Sequence, residues 1–180
     1  ITSDVAAGLR TPIAEAERLK RNYGCALGRM IADDEEIEVP GVGGHSPRRV
    51  ARRLLSDIIE PRVEEIFSEA RRRIEETGLL EQVSSGAVLT GGASLMEGMN
   101  ECAEEILGMP VRLGFPVGVK GIVQLVQGPQ YATGVGLVRY GAQHLAEAYA
   151  RGEAPRMPVS EEAEVAQRKN GFWGWLRAAF

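Results

Sequence analysis

Two glycines placed directly after a short apolar run, in Val88-Leu89-Thr90-Gly91-Gly92-Ala93-Ser94, are the sharpest chemical signal in this sequence. Glycines at the carboxyl end of a strand let backbone approach a ligand closely, and a following helix amino terminus favours anionic groups. Glu17, Lys20 and Arg21 stand at i, i+3 and i+4, so one helix face would carry a carboxylate and two cations together. Plainer accounts exist for both patterns: a tight strand-to-helix connection for the glycines and a solvated charge cluster for the helix. Arg48, Arg49, Arg52 and Arg53, followed by Arg62, make one dense positive patch in a chain of net charge -4. Read from the residues alone, such a patch suits a solvated helix face.

A different chemistry closes the sequence. The segment 171–180 holds both tryptophans and two of the four phenylalanines. Wound at about 100° per residue, it sets Phe172, Trp173, Trp175, Leu176, Ala179 and Phe180 in one apolar arc of roughly 160°. Arg177 stands at the edge of that arc, with Gly174 and Ala178 behind it. Aromatic rings favour the lipid headgroup boundary, and Arg168, Lys169 and Arg177 add attraction to anionic lipid. A terminal helix docked on its own domain or on a partner is the competing account. The long polar tether ahead of the segment favours a reversible membrane anchor.

These residues need a framework to hold them. A chain of 180 residues with 44% hydrophobic and 26% charged content is long and apolar enough to bury a core. Its acidic balance argues against a nucleic-acid binder. Two cysteines with no CxxC spacing, and two histidines, indicate neither a disulfide framework nor a zinc site, so a reducing cytoplasm is the natural compartment. No apolar run approaches the ~20 residues of a membrane span. The opening Ile1-Thr2-Ser3-Asp4 lacks a Met and reads as the start of a fragment cut from something longer.

Thr11-Pro12 predicts a helix start, hydroxyl cap then proline, with Ile13, Ala16, Leu19 and Tyr23 as its apolar stripe and Gly24 as its end. Cys25 to Ile31 and Ile37 to Val39 read as a short hairpin around the acidic turn 33–36, followed by a glycine-rich loop over 40–44. Ser46-Pro47 predicts another helix start, and Pro61 divides the apolar periodicity of 50–77 into two helices meeting near Glu60. Ala87 to Thr90 is a buried strand. Ser94 and Glu97 then form a capping box for a helix carrying Met96, Met99, Ala103, Ile106 and Leu107. Val111 to Leu113 is a further strand, a helical turn falls at 122–126, and Pro129 leads a last helix to about Tyr149. The composition of 151–170 is that of a flexible linker. Alternating helix and strand give an α/β or α+β class.

Taken together, these segments resemble the second half of the actin-like ATPase superfamily, and within it the FtsA family of bacterial division proteins. The residues that carry the resemblance are Ile1-Thr2-Ser3-Asp4-Val5-Ala6 with Gly8-Leu9, the 15–20 helix, and Val39-Pro40-Gly41-Val42-Gly43-Gly44. Pro47-Arg48, Ile59-Glu60-Pro61-Arg62, Val88 to Ala93, Tyr131 to Leu137, Tyr140-Gly141 and the tryptophan tail continue it in order. The likeness implies an α/β fold, the second lobe of the ribonuclease-H-like fold with a small α/β subdomain, a disordered linker and a C-terminal amphipathic helix. It implies a division into 1–12 (edge of the nucleotide lobe), 13–85 (small subdomain), 86–150 (rest of the lobe), 151–169 (linker) and 170–180 (anchor).

It also implies roles. Glu17, Lys20 and Arg21 would face ribose and adenine of ATP, with Gly91, Gly92 and Ala93 contacting base and sugar through backbone. Chaperones of the superfamily stack an arginine on adenine; Leu95 stands there in this sequence, so apolar packing with Met96 would replace that contact. The phosphate loops and the Mg-proximal carboxylates would lie upstream of Ile1, so this chain would hold the nucleoside side of the site alone. Hydrolysis would be weak at most. Arg48 and Arg62 match arginines associated with the FtsZ carboxyl-terminal peptide. The implied protein self-assembles and tethers FtsZ at the septum, on the cytoplasmic side of the cell membrane, through contact with an anionic membrane surface and not with nucleic acid. Other branches of the superfamily, namely chaperones and cell-shape or pilus-assembly ATPases, are the alternative; they have no reason to end in an aromatic amphipathic helix.

Overall fold

The computed structural model describes residues 1–43, 46–78, 82–83, 85–120 and 123–152, and the chain divides into two compact units, Ile1–Gly136 and Leu137–Phe180. Unit one begins with α1 (Thr2–Leu9) and α2 (Ile13–Tyr23), followed by β1 (Glu36–Val39), β2 (Arg48–Ala51) and α3 (Arg52–Glu76). It continues through β3 (Ala87–Leu89), α4 (Met99–Leu107) and β4 (Val111–Leu113) to the start of α5 (Ala132–Ala150). β1 and β2 form an antiparallel pair, and β3 and β4 a parallel one joined through α4. This mixture of helix and strand agrees with the α/β class read from the sequence. Within unit two, the described residues of α5 bring the rings of Tyr140 and His144 to 4.1 Å between centroids.

The core follows from the spacing of apolar residues on the helices. Leu55, Ile59, Val63 and Phe67 recur every fourth residue of α3 and are all buried. They belong to one cluster with Val5 and Leu9 of α1, Leu19 of α2, Ile37 and Val39 of β1, and Cys102 and Leu107 of α4. Both cysteines are free and buried. Burying a side chain of this size is worth about 1.5–3 kcal/mol, so α3 is the spine on which the unit is assembled.

Several local expectations are corrected. Pro61 does not break the helix: α3 runs unbroken from Arg52 to Glu76 with Pro61 exposed on its outer side. The buried stripe continues on both sides of the proline, and that burial outweighs the one backbone bond that proline cannot make. The expected hairpin of 25–31 with 37–39 is not formed. Ile37 pairs instead with Val50, and Gly28–Met30 curls into a 3-10 turn. Arg48-Arg49-Val50-Ala51, expected within a helix, is therefore a strand, because alternating Ile37 and Val39 need a partner strand beside them.

Thr11 does not cap α2; its Oγ1 donates to the Pro40 carbonyl at 2.8 Å, and Pro12 holds the N-cap position. The stripe of α2 is narrower than expected, with Ala16 and Leu19 buried but Ile13 and Tyr23 exposed. The Ser94–Glu97 capping box is absent as well. Residues Gly92–Leu95 form a 3-10 turn, Ser94 Oγ donates to the Gly91 carbonyl at 2.7 Å, and α4 begins only after Gly98. Glu97 is drawn away by a backbone bridge to Cys25 and an ion pair with Arg52. The expected helical turn at 122–126 is found as a 3-10 turn over Val123–Val126. The linker from residue 153 onward and the entire 170–180 segment, with Phe172, Trp173, Trp175, Leu176 and Phe180, lie outside the described residues. Among the described residues, no helix is long and apolar enough to cross a membrane.

Candidate ligand-binding cleft

Residues 75 positions apart in the sequence face each other across a cleft of about 490 Å³. One wall is α2, which contributes Glu17, Lys20 and Arg21; the other is the glycine turn, which contributes Gly92, Ala93, Leu95 and Met96. Gln130 completes the lining. The two sequence patterns thus converge on a single site, and its volume lies in the ordinary range for small-molecule pockets.

The glycine turn owes its shape to Gly91, whose φ of +92° is a conformation that side-chain-bearing residues rarely adopt. Gly91 does not line the cleft but sets up the residues that do. Its N–H donates to the Pro129 carbonyl at 3.0 Å, which fastens the turn to the segment bearing Gln130. A Cβ on Gly92 would stand 3.6 Å from the Gln130 Cβ, so the space there is open enough for a side chain but belongs to the cleft.

On the opposite wall, the carboxylate of Glu17 is held by two donors. Lys20 Nζ donates to Glu17 Oε2 at 2.6 Å, and Thr2 Oγ1 donates to the same oxygen at 2.6 Å. Lys20 also donates to Thr2 Oγ1 at 3.0 Å, closing a triangle of three side chains. The Lys20 bond, and after it the Thr2 bond, hold the Glu17 carboxyl below its ordinary range, so it stays ionised. Arg21 lines the cleft and is exposed, and among the described residues its side chain has no hydrogen-bond partner. The arrangement offers a fixed carboxylate acceptor, two cations, an open backbone turn and the apolar surface of Leu95 and Met96. It can hold a flat ligand bearing hydroxyl groups and a negative charge.

Thr2 and Gln130 were not singled out from the sequence. Thr2 acts through Glu17, a contact between helices that no local pattern announces. Gln130 carried only the weak sign of a polar residue next to Gly128-Pro129. The arginines read as a partner site lie elsewhere. Arg48 Nη2 donates to the Leu9 carbonyl at 2.6 Å, whereas Arg62 is bound by Asp4 and Glu65.

A family model described as "Cell division protein FtsA" matches residues 1–136. "Cell division protein FtsA" of Pseudomonas aeruginosa is 46% identical over 143 residues, covering 79% of this chain and 34% of the relative. The protein of the same name from Escherichia coli K12 is 36% identical over 187 residues, covering 100% of this chain and 43% of the relative. That of Neisseria meningitidis is 37% identical over 172 residues, covering 95% of this chain and 39% of the relative. The chain thus spans less than half the length of the curated relatives it matches.

Proposed function

Because the chain belongs to the FtsA family of cell-division proteins, we propose that its cleft holds the nucleoside end of ATP. The single observation that carries this reading is the convergence of Glu17, Lys20 and Arg21 with Gly92, Ala93 and Met96 on one cavity. The lining suits the group. A fixed carboxylate accepts from ribose hydroxyls, backbone at the glycine turn can meet the base edge, and Leu95 with Met96 supplies an apolar surface for the base face. ATP brings the phosphates and the bound Mg, whose protein contacts would lie outside this chain. Glu17 orients the sugar and Thr2 holds Glu17 in place. In the intact protein, ATP binding would favour self-assembly more than hydrolysis. Arg48 and Arg62 would meet the carboxyl-terminal peptide of FtsZ, and the 170–180 helix would tether the assembly to the cytoplasmic face of the membrane at the septum.

Titrating ATP into the intact protein and its Gly92→Val variant tests the nucleotide reading. The valine side chain enters the cleft, and binding is expected to fall by about a hundredfold or more, equivalent to roughly 2.8 kcal/mol. Unchanged affinity in a folded variant would remove the nucleotide from this cleft.

A further inference from the structure

The arginine run 48–53 predicts one positive face, yet Arg52 is turned inward, with its side chain 14% exposed. Its guanidinium makes three contacts to three separate parts of the chain. Nε donates to the Tyr23 carbonyl at 2.9 Å, Nη1 to Glu35 Oε2 at 2.7 Å, and Nη2 to the Glu97 carboxylate. Tyr23 is the last residue of α2, the wall that carries Glu17, Lys20 and Arg21. Glu97 directly follows Met96, the last residue of the facing wall. The same joint is strapped by backbone, since Ala26 N–H donates to the Glu97 carbonyl at 2.8 Å and Cys25 bridges Glu97 in parallel.

We infer that Arg52 is a positioning residue that sets the separation of the two walls of the cleft. A planar guanidinium with donors in a fixed fork holds several acceptors at set distances, which a flexible ammonium cannot do. Because Arg52 is also the first residue of α3 and follows β2 directly, any shift of the β2–α3 junction is carried to both walls at once. The backbone N–H of Arg52 donates to the Glu35 carbonyl at 2.8 Å, which fixes the junction itself. Arg53, its neighbour, is half exposed and pairs with Asp33 at 3.4 Å, and it takes no part in the joint. The effect on ligand affinity rests on the nucleotide reading above; the geometric role does not.

Two measurements on the intact protein test the inference: ATP affinity, and amide hydrogen exchange over 92–97 without nucleotide. In Arg52→Gln, ATP affinity is expected to fall by about tenfold or more and exchange over 92–97 to speed up by a similar factor. Exchange at the buried stripe of α3 is expected to stay at the wild-type rate, which a general loss of stability would not allow. Arg52→Lys should recover part of the affinity, and Arg53→Gln should stay within about twofold of wild type. A folded Arg52→Gln protein with wild-type exchange over 92–97 would overturn the inference. Should that variant fail to fold, Glu97→Gln cuts the same tie from its exposed end, with the same expected and overturning results. Failure of wild type to bind ATP would sink the nucleotide reading alone, leaving the exchange measurement to decide the role of Arg52.

Discussion

The guanidinium of Arg62 closes on the carboxylate of Asp4 with two parallel bonds, Nε to Oδ2 at 2.9 Å and Nη2 to Oδ1 at 3.0 Å. This fork joins α3 to α1 across 58 positions of sequence. The Arg62 bonds hold the Asp4 carboxyl well below the ordinary aspartate range.

A residue so engaged is not a free surface charge. Arg62→Glu sets a carboxylate against Asp4 and Glu65 and is expected to lower the melting temperature, with Asp4→Arg in the same chain restoring most of it. Since the folded Asp4 value is depressed, its contribution is complete above about pH 4 and is lost as pH falls through the folded value. If Arg62 also meets the FtsZ peptide, Asp4→Asn frees the guanidinium and should tighten peptide binding. Equal affinity in Asp4→Asn, Arg62→Glu and wild type would move the partner site off Arg62.

Pro61 offers a stabilising substitution. It is exposed inside a continuous helix, so Pro61→Ala removes no core contact and returns one backbone hydrogen bond. An increase of about 1–3 kcal/mol in unfolding free energy is expected by chemical denaturation, the upper end being the full helix penalty of proline. A decrease would mean that two helical segments meet there after all.

The cleft carboxylate gives a pH test. With its folded value held down by Lys20 and Thr2, Glu17 should keep the affinity for adenosine, which carries no phosphate to titrate in this window, flat from about pH 8 to about pH 5, the ordinary glutamate range being lower still. Thr2→Val removes one of its two donors and should cost affinity by about threefold to tenfold, the usual scale for one hydrogen bond. Isothermal titration across that pH range measures both. A steep fall between about pH 7 and pH 6 would point to a different titrating group.

The terminal segment has an orientation to test. If the segment winds into the amphipathic helix read from its sequence, Trp173→Glu or Leu176→Glu would put a charge inside the apolar arc and release the protein from anionic liposomes in co-sedimentation, whereas Ala178→Glu behind the arc would matter far less. Equal release by all three would leave no oriented interfacial helix.

What was legible in the sequence depended on how local its cause was. Helices α2, α4 and α5, the β3 and β4 strands and the glycine turn follow from periodicity and glycine content and stand in the structure, although β3 is not the buried strand expected, since Val88 at its centre is half exposed. The two halves of the cleft were also legible, each by its own pattern. Starts of elements were not. Thr11, Ser46 and Ser94 look like caps, but Thr11 and Ser94 turn to carbonyls at Pro40 and Gly91, and Ser46 precedes a strand. The same limit hid Thr2 and Arg52, whose roles are set by partners 15 to 45 residues away. Pro61 misled for the opposite reason: a strong local preference was overruled by a buried stripe on both of its sides.

The joint at Glu97 has a consequence for the order in which the chain folds. α1 and α2 meet through Thr2 and Glu17, only 15 residues apart, whereas Arg52 and Glu97 must close a loop of 45. Loop closure grows dearer with the logarithm of length, and contacts of large separation come late in folding. During synthesis, the first wall of the cleft can therefore be built while the second has yet to leave the ribosome. Pulse-labelled exchange should find the amides of α2 protected before those of 92–97. Until that second wall arrives there is no cleft, and a ligand that depends on both walls can stabilise the finished fold but cannot guide the chain toward it.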